Sequence, residues 1–233
     1  MAITDGTRAE VRSRLALALD VDDAVAANRL AQELHPFFDV VKVGLELFAA
    51  GGPSIVAEMI AIGYRVFLDL KLADIPTTVE RTARVLGTLG VSYLTMHSFT
   101  GEAMLRAGVA GLADGAQRAG LEAPGVLAVT VLTSDASAPD HILGNRVRTA
   151  AAAGCSGVVC AAKDVAEAKE IAPGLLAVVP GIRPSGTDHH DQARSSTPEA
   201  ALTAGADLLV IGRAVTAAAD RRRAAQRLVD SLS

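Results

Sequence analysis

The sequence predicts an α/β protein of the (β/α)8 TIM-barrel class, and three observations carry that expectation. Half of the 233 residues are hydrophobic, yet only 3% are aromatic and none is Trp. The core must therefore be built from Ala and Leu, which favour helices, and Val and Ile, which favour strands. Eight short apolar runs recur along the chain, at residues 15–21, 40–44, 66–71, 93–97, 126–133, 157–161, 175–182 and 208–212. Most are near-continuous in Val, Leu and Ile, as expected of strands buried on both faces of a parallel sheet. Amphipathic or Ala-rich stretches separate them, and eight strand–helix units in a chain of this length match one barrel.

The elements between the strands carry their own signals. Residues 22–34 open on Asp22 and Asp23, acids that suit a helix N-terminus. Residues 46–62 stop at Gly63, a C-cap. Residues 76–89 begin with Pro76 at the first helical position and stop before Gly90. Thr197-Pro198-Glu199 opens a short helix ending near Gly205, and a last helix is expected over 214–232. The longest connection lacking an element runs from 182 to 196, after the seventh strand. Long loops on that face of a barrel are often lids. An open doubly wound sheet is the alternative, but no Gly-x-Gly-x-x-Gly follows the first strand.

No Gly-Ser linker or charge block divides the chain, so residues 1–233 read as a single barrel domain with a polar N-terminal extension over 1–13. A net charge of −4 gives no general nucleic-acid-binding surface. Cys155 and Cys160 lie in an apolar stretch without a Cys-x-x-Cys spacing, and read as reduced core residues rather than a disulfide or a zinc site. The first residues lack the apolar run of a signal peptide. No segment has the uninterrupted apolar length of a membrane span. The expectation is a cytoplasmic protein with no membrane or nucleic-acid partner.

In a barrel, polar residues at the C-terminal ends of strands are the expected catalytic ones. Those ends hold Asp20, Lys42, Asp69 with Lys71, His97, Thr133, Arg183 and Arg213. Asp69 and Lys71 are two apart on one strand and so share a face. Lys42 ends the preceding strand and can lie beside Asp69. Two unit charges about 4 Å apart interact by roughly 4 kcal/mol at an effective dielectric near 20. An alternating Lys42, Asp69, Lys71 array can thus hold all three ionised while half-buried. The plainer reading of the pair is a salt bridge at the barrel rim. Asp74 precedes Ile75-Pro76, where the chain must turn; it either caps the next helix or reaches a second subunit. Asp20 could likewise be a helix cap, His97 a core residue, and His189-His190 solvated. Gly212 and Arg213 close the eighth strand and open a helix, where backbone N–H groups and a cation suit a phosphate. The run 180–183, ending in Arg183, supplies the other side.

Asp69-x-Lys71-x-x-Asp74-Ile75-Pro76-x-Thr78 resembles the signature of the orotidine 5′-phosphate decarboxylase family, bacterial type. Leu19-Asp20, Lys42-Val43-Gly44, Thr130-Val131-Leu132-Thr133-Ser134, Pro180-Gly181-Ile182-Arg183-Pro184, Asp191-Gln192 and Ile211-Gly212-Arg213 resemble it in type and order. The resemblance runs from about residue 15 to the C-terminus. It implies a cofactor-free, metal-free carboxy-lyase of UMP biosynthesis that acts as a homodimer. Lys71 then resembles the proton donor to C6, and Asp69 the acid beside the substrate carboxylate. Asp20 and Lys42 resemble the ribose-binding residues, Thr133 the one meeting the pyrimidine edge, and Gln192 the lid residue spanning pyrimidine and phosphate. Arg183, Gly212 and Arg213 resemble the phosphate positions. Asp74, Ile75 and Thr78 resemble residues reaching the partner subunit's site. The chain departs from the family pattern at Leu72-Ala73, at Thr77 and at Ser98-Phe99-Thr100. Two rivals share parts of the pattern: a metal-dependent sugar-phosphate enzyme of the same suprafamily, and a non-catalytic phosphate-binding barrel.

Overall fold

The structure is a computed structural model that describes residues 5–132, 139, 141–183 and 196–233. In chain order the elements are α1 (Asp5–Ser13), β1 (Leu15–Leu19), α2 (Ala24–Leu34), β2 (Val40–Gly44), α3 (Leu45–Ile62), β3 (Arg65–Leu72), α4 (Pro76–Gly87) and β4 (Tyr93–His97). There follow α5 (Glu102–Arg118), β5 (Gly125–Val129), α6 (His141–Ala152), β6 (Gly157–Val159), α7 (Val165–Ile171), β7 (Leu176–Val179), α8 (Pro198–Thr203), β8 (Leu208–Ile211), α9 (Arg213–Thr216) and α10 (Arg221–Ser231). The eight strands pair in sequence order, and β1 pairs with β8 in parallel to close the barrel.

Period-two alternation sorts the strand side chains into two cores. Ala16, Ala18, Val40, Phe67, Leu127, Val178, Leu208 and Val210 fill the barrel interior, with Tyr93 and Val159 against them. Their neighbours Leu15, Leu17, Leu19, Val41, Val43, Leu68, Leu94 and Met96 face outward and pack under the helices. Each such Leu, Val or Ile contributes about 1.5–3 kcal/mol by leaving water. Inward parity also carries three polar residues into the upper barrel. It runs from Val40 to Lys42, from Phe67 to Asp69, and from Tyr93 to Thr95.

The strands stop earlier than the apolar runs suggest. β1 ends at Leu19, β7 at Val179 and β8 at Ile211. Asp20, Arg183 and Gly212 therefore stand in the loops just beyond the ladder. The expected last helix is two, because Asp220 starts a new one by accepting from the Arg223 N–H at 2.9 Å.

One helix among the described residues, α3, is long and apolar enough to cross a membrane by length and composition. Gly52 breaks it at φ 58°, just before Pro53, so it is two shorter helices across a kink. Leu47, Ile55, Val56 and Met59 bury one side of it against the barrel. Helices α4 and α5 approach backbone to backbone. A Cβ added at Gly115 would lie 2.0 Å from the Arg84 carbonyl oxygen, and one at Gly111 would lie 2.2 Å from that of Glu80.

Candidate active site

A cavity of about 260 Å³ opens at the C-terminal end of the barrel. Asp20, Lys42, Asp69, Lys71, Arg183, Gly212 and Arg213 line it, above Ala18, Phe67 and Val210. One wall is thus acidic and basic in alternation, and the opposite wall carries two arginines.

The alternating wall is a continuous chain of ion pairs. Lys42 Nζ donates to Asp20 Oδ1 at 2.9 Å and lies 3.6 Å from Asp69 Oδ2. Lys71 Nζ donates to both Asp69 oxygens, at 2.9 and 2.8 Å. Asp69 and the Lys42 side chain are buried, Lys71 is part-buried and Asp20 is largely exposed. Burial alone would raise the Asp69 pKa. The charges of Lys42 and Lys71, with hydrogen bonds from Lys71 and Thr95, outweigh it and hold the carboxyl below its ordinary value. Gly44 leaves space for this pairing, since a Cβ there would come within 3.1 Å of Lys42 Nζ.

The Asp69–Lys71 segment is not regular strand. The β3–β4 register runs Phe67 with Tyr93 and Leu68 with Leu94, then resumes at Leu72 with Met96. Two extra residues of β3 are thus accommodated in a bulge. Lys71 lies inside it at φ 51°, the one non-glycine with a positive φ among the described residues. Such a conformation costs about 1–3 kcal/mol and persists only where the surroundings impose it. Its backbone N–H, out of ladder register, donates to Thr95 Oγ1 at 2.9 Å. The same hydroxyl donates to Asp69 Oδ1 at 2.9 Å. Thr95 is fully buried. Reading strand ends alone passed over it in favour of His97. The signal that finds it is the inward parity of Tyr93-Leu94-Thr95.

Arg183 supplies the opposite wall. It is buried, and its Nε has no hydrogen-bond partner among the described residues. Its backbone N–H donates to the Ser196 carbonyl at 2.9 Å, and Ile182 and Ser196 form an isolated parallel bridge. Gly212 caps α9 by accepting from the Val215 and Thr216 N–H groups, and Arg213 begins that helix. A Cβ on Gly212 would meet only Ala18 and Asp20 at ordinary contact distance, so the protein itself does not demand glycine there.

Three of the expected residues stand outside the cavity. Asp74, Ile75 and Thr78 are exposed, Ile75 by 66%. Asp74 does not cap α4. Ile75 is the N-cap residue, extended at ψ 149° because Pro76 follows, and Asp74 Oδ1 accepts from its N–H at 2.6 Å. Nor does Asp20 cap α2, a role taken by Asp23. His97 does not line the cavity. Burial, then the charges of Lys71 and Arg146, lower its pKa against the opposing pull of Asp69. Thr133, Gln192 and the pair His189-His190 lie outside the described residues. Cys160 lines the cavity and Cys155 does not; both are free and buried, and burial pushes each thiol up to about 12.

The sequence profile of the orotidine 5′-phosphate decarboxylase / HUMPS family matches residues 13–228. The chain belongs to this family. Among its relatives, the orotidine 5′-phosphate decarboxylase of Anaeromyxobacter dehalogenans is 43% identical over 230 residues, covering 94% of this chain and 98% of the relative. That of Lactiplantibacillus plantarum is 44% identical over 221 residues, covering 88% and 92%. The crystal structure of orotidine 5′-phosphate decarboxylase from Lactobacillus acidophilus superposes with a TM-score of 0.81 at 32% identity, covering 95% of this chain and 99% of that one. The family match begins just after the polar first residues and spans every strand of the barrel.

Proposed function

We propose that this chain decarboxylates orotidine 5′-phosphate to uridine 5′-phosphate and carbon dioxide, the step that completes UMP biosynthesis. The observation that carries the reading is the pair of lysines sharing the buried Asp69 carboxylate at one wall of a cavity whose other wall is cationic. Relatives at 43 and 44% identity that bear this activity in their names support it.

The difficulty of the reaction is the carbanion left at C6. The bond from C6 to the carboxylate breaks, its electron pair stays on C6, and carbon dioxide leaves. The Lys71 ammonium, held by Asp69 where that charge develops, stabilises the carbanion and transfers a proton from Nζ to C6. Preorganisation matters because the donor needs no reorientation during the step. Asp69 stays ionised because its pKa is lowered, so Lys71 keeps its counter-ion. Asp20 and Lys42 fit the ribose hydroxyls, and Arg183, Gly212 and Arg213 fit the phosphate. The buried, unpartnered Arg183 Nε supports an anionic ligand at that wall. Thr133 and Gln192 complete the assignment at the pyrimidine edge and the lid. The phosphate, remote from C6, supplies binding energy for orientation. Neither cofactor nor metal enters the scheme.

Asp74, Ile75 and Thr78 serve the partner subunit's site in a homodimer. Their exposure supports this, as does that of the apolar Leu45, Phe99 and Leu132, which follow β2, β4 and β5 and are 59%, 59% and 43% exposed. Two buried free thiols suit the cytoplasm.

The test is the absorbance of orotidine 5′-phosphate on adding purified protein in excess chelator. The expected result is metal-independent conversion to uridine 5′-phosphate, with a loss of about 10²-fold or more in kcat for Lys71→Ala. Near-normal turnover by that variant would remove Lys71 from its role. Dependence on a divalent cation would favour the sugar-phosphate chemistry instead.

A further inference from the structure

We infer that Thr95 is a positioning residue for the decarboxylation, its single hydroxyl fixing both the Asp69 carboxylate and the backbone from which Lys71 projects. The inference rests on the proposed decarboxylase reading and extends it to a residue outside the charged array.

The direction of each hydrogen bond follows from chemistry. An ionised carboxylate can only accept, so the Thr95 hydroxyl proton points at Asp69 Oδ1, 2.9 Å away. The Lys71 N–H can only donate, so it fills a lone pair of the same oxygen, also at 2.9 Å. Thr95 is fully buried, so water cannot substitute for either contact. Its backbone lies on β4, across the bulge between Leu68 and Leu72. The bulge leaves the Lys71 N–H without a ladder carbonyl, and φ 51° is a conformation that an L-residue adopts only under constraint. One hydroxyl thus ties the strained turn to the neighbouring strand and aims the carboxylate that holds Lys71 Nζ. A methyl group in its place would free the bulge to relax and turn the ammonium away from one geometry.

Positioning and stability separate by their readouts. The charged and titratable groups around Asp69 are Lys71 on β3, Lys42 on β2 with Asp20 behind it, and His97 on β4 beside Arg146 of α6. None of them is altered by changing Thr95. The experiment compares kcat, KM and the acid limb of the kcat profile for wild type, Thr95→Val, Thr95→Cys and Thr95→Ser. Ser98→Ala is the control, because Ser98 is equally buried on the same segment and donates only to the Val129 carbonyl, at 2.7 Å.

The expected result for Thr95→Val is a fall in kcat of about 10- to 100-fold, the scale of a small misplacement of a reacting group. KM should change much less, because the lost contact acts on the transition state. The acid limb should move to higher pH, since Asp69 loses a donor. Serine, which keeps the hydroxyl, should restore most of kcat. Cysteine, a weak donor, should fall between, and it carries the test if the valine variant does not fold. Ser98→Ala should lose stability without moving the acid limb. Thr95→Val or Thr95→Cys with wild-type kcat would overturn the inference. So would losses in the Thr95 series that merely track melting temperature as Ser98→Ala does. A wild-type enzyme without turnover would instead overturn the decarboxylase reading.

Discussion

Asp69 shows how a single side chain can be both costly and necessary. Burying a carboxylate carries a desolvation penalty of several kcal/mol, which its two lysines and Thr95 must offset. Removing its charge leaves Lys42 and Lys71 facing each other without a counter-ion. Asp69→Asn should therefore destabilise the protein by about 3–5 kcal/mol at neutral pH, the cost of breaking a buried pair. The pH dependence has a definite sign. The folded-state pKa of Asp69 lies below the ordinary 3.8, so its contribution is fully present above that value. It is lost as pH falls through the folded pKa, where the folded protein must take up the proton. Melting temperatures of wild type and Asp69→Asn should differ most at neutral pH, draw together as pH falls below 3.8, and meet once pH lies below the folded-state pKa. A gap that persisted there would show that charge is not the source of the effect.

At the scale of elements, the segment between β3 and α4 holds the site's geometry. The bulge in β3 and the extended Ile75 before Pro76 set where Lys71 and Asp74 point. The helix that follows is anchored by the α4–α5 seam, where glycines let the backbones touch. Gly111→Ala would drive a Cβ to 2.2 Å from the Glu80 carbonyl, a fixed backbone atom rather than a flexible side chain. Overpacking of this kind costs about 1–3 kcal/mol, occasionally more. In a chain of this size that is roughly 2–4 °C of melting temperature per kcal/mol. Calorimetry should show the loss at Gly111 and Gly115 alike. A variant as stable as wild type would mean that the helices can separate freely.

For the whole molecule, Leu45, Ile75, Phe99 and Leu132 are exposed apolar residues in the segments that follow β2, β3, β4 and β5, and Leu132 also lines the cavity. If Asp74 acts in the partner's site, Lys71→Ala and Asp74→Asn are defects of different subunits. Each variant alone should be nearly inactive. Mixed dimers made by refolding the two together should regain activity, because one site per dimer then holds both an intact Lys71 and an intact Asp74. Mixtures that stay inactive despite forming heterodimers would place Asp74 in its own subunit's site.

Much of this was legible in one dimension, and the reasons are local. Mostly near-continuous Val, Leu and Ile runs suit a parallel sheet buried on both faces, and eight strand–helix units in a chain of this length point to a barrel. Pro76, Gly63 and Thr197 mark helix ends because φ, ψ and free N–H groups are local constraints. The charged residues Asp20, Lys42, Asp69 and Lys71 stood out because charge is rare in such runs. Other features depended on what the chain meets when the sheet closes. Thr95 is an ordinary strand residue until β4 lies beside β3 and its hydroxyl reaches Asp69. The positive φ of Lys71 follows from a register mismatch between two strands, which neither strand encodes alone. Capping is one of two sequence readings for Asp74 and for Asp20, but Ile75 and Asp23 hold those positions in space. The linear chain settles which groups are present and which way each strand alternates. Closure of the barrel settles their distances, because only then do side chains far apart in sequence share one low-dielectric cavity.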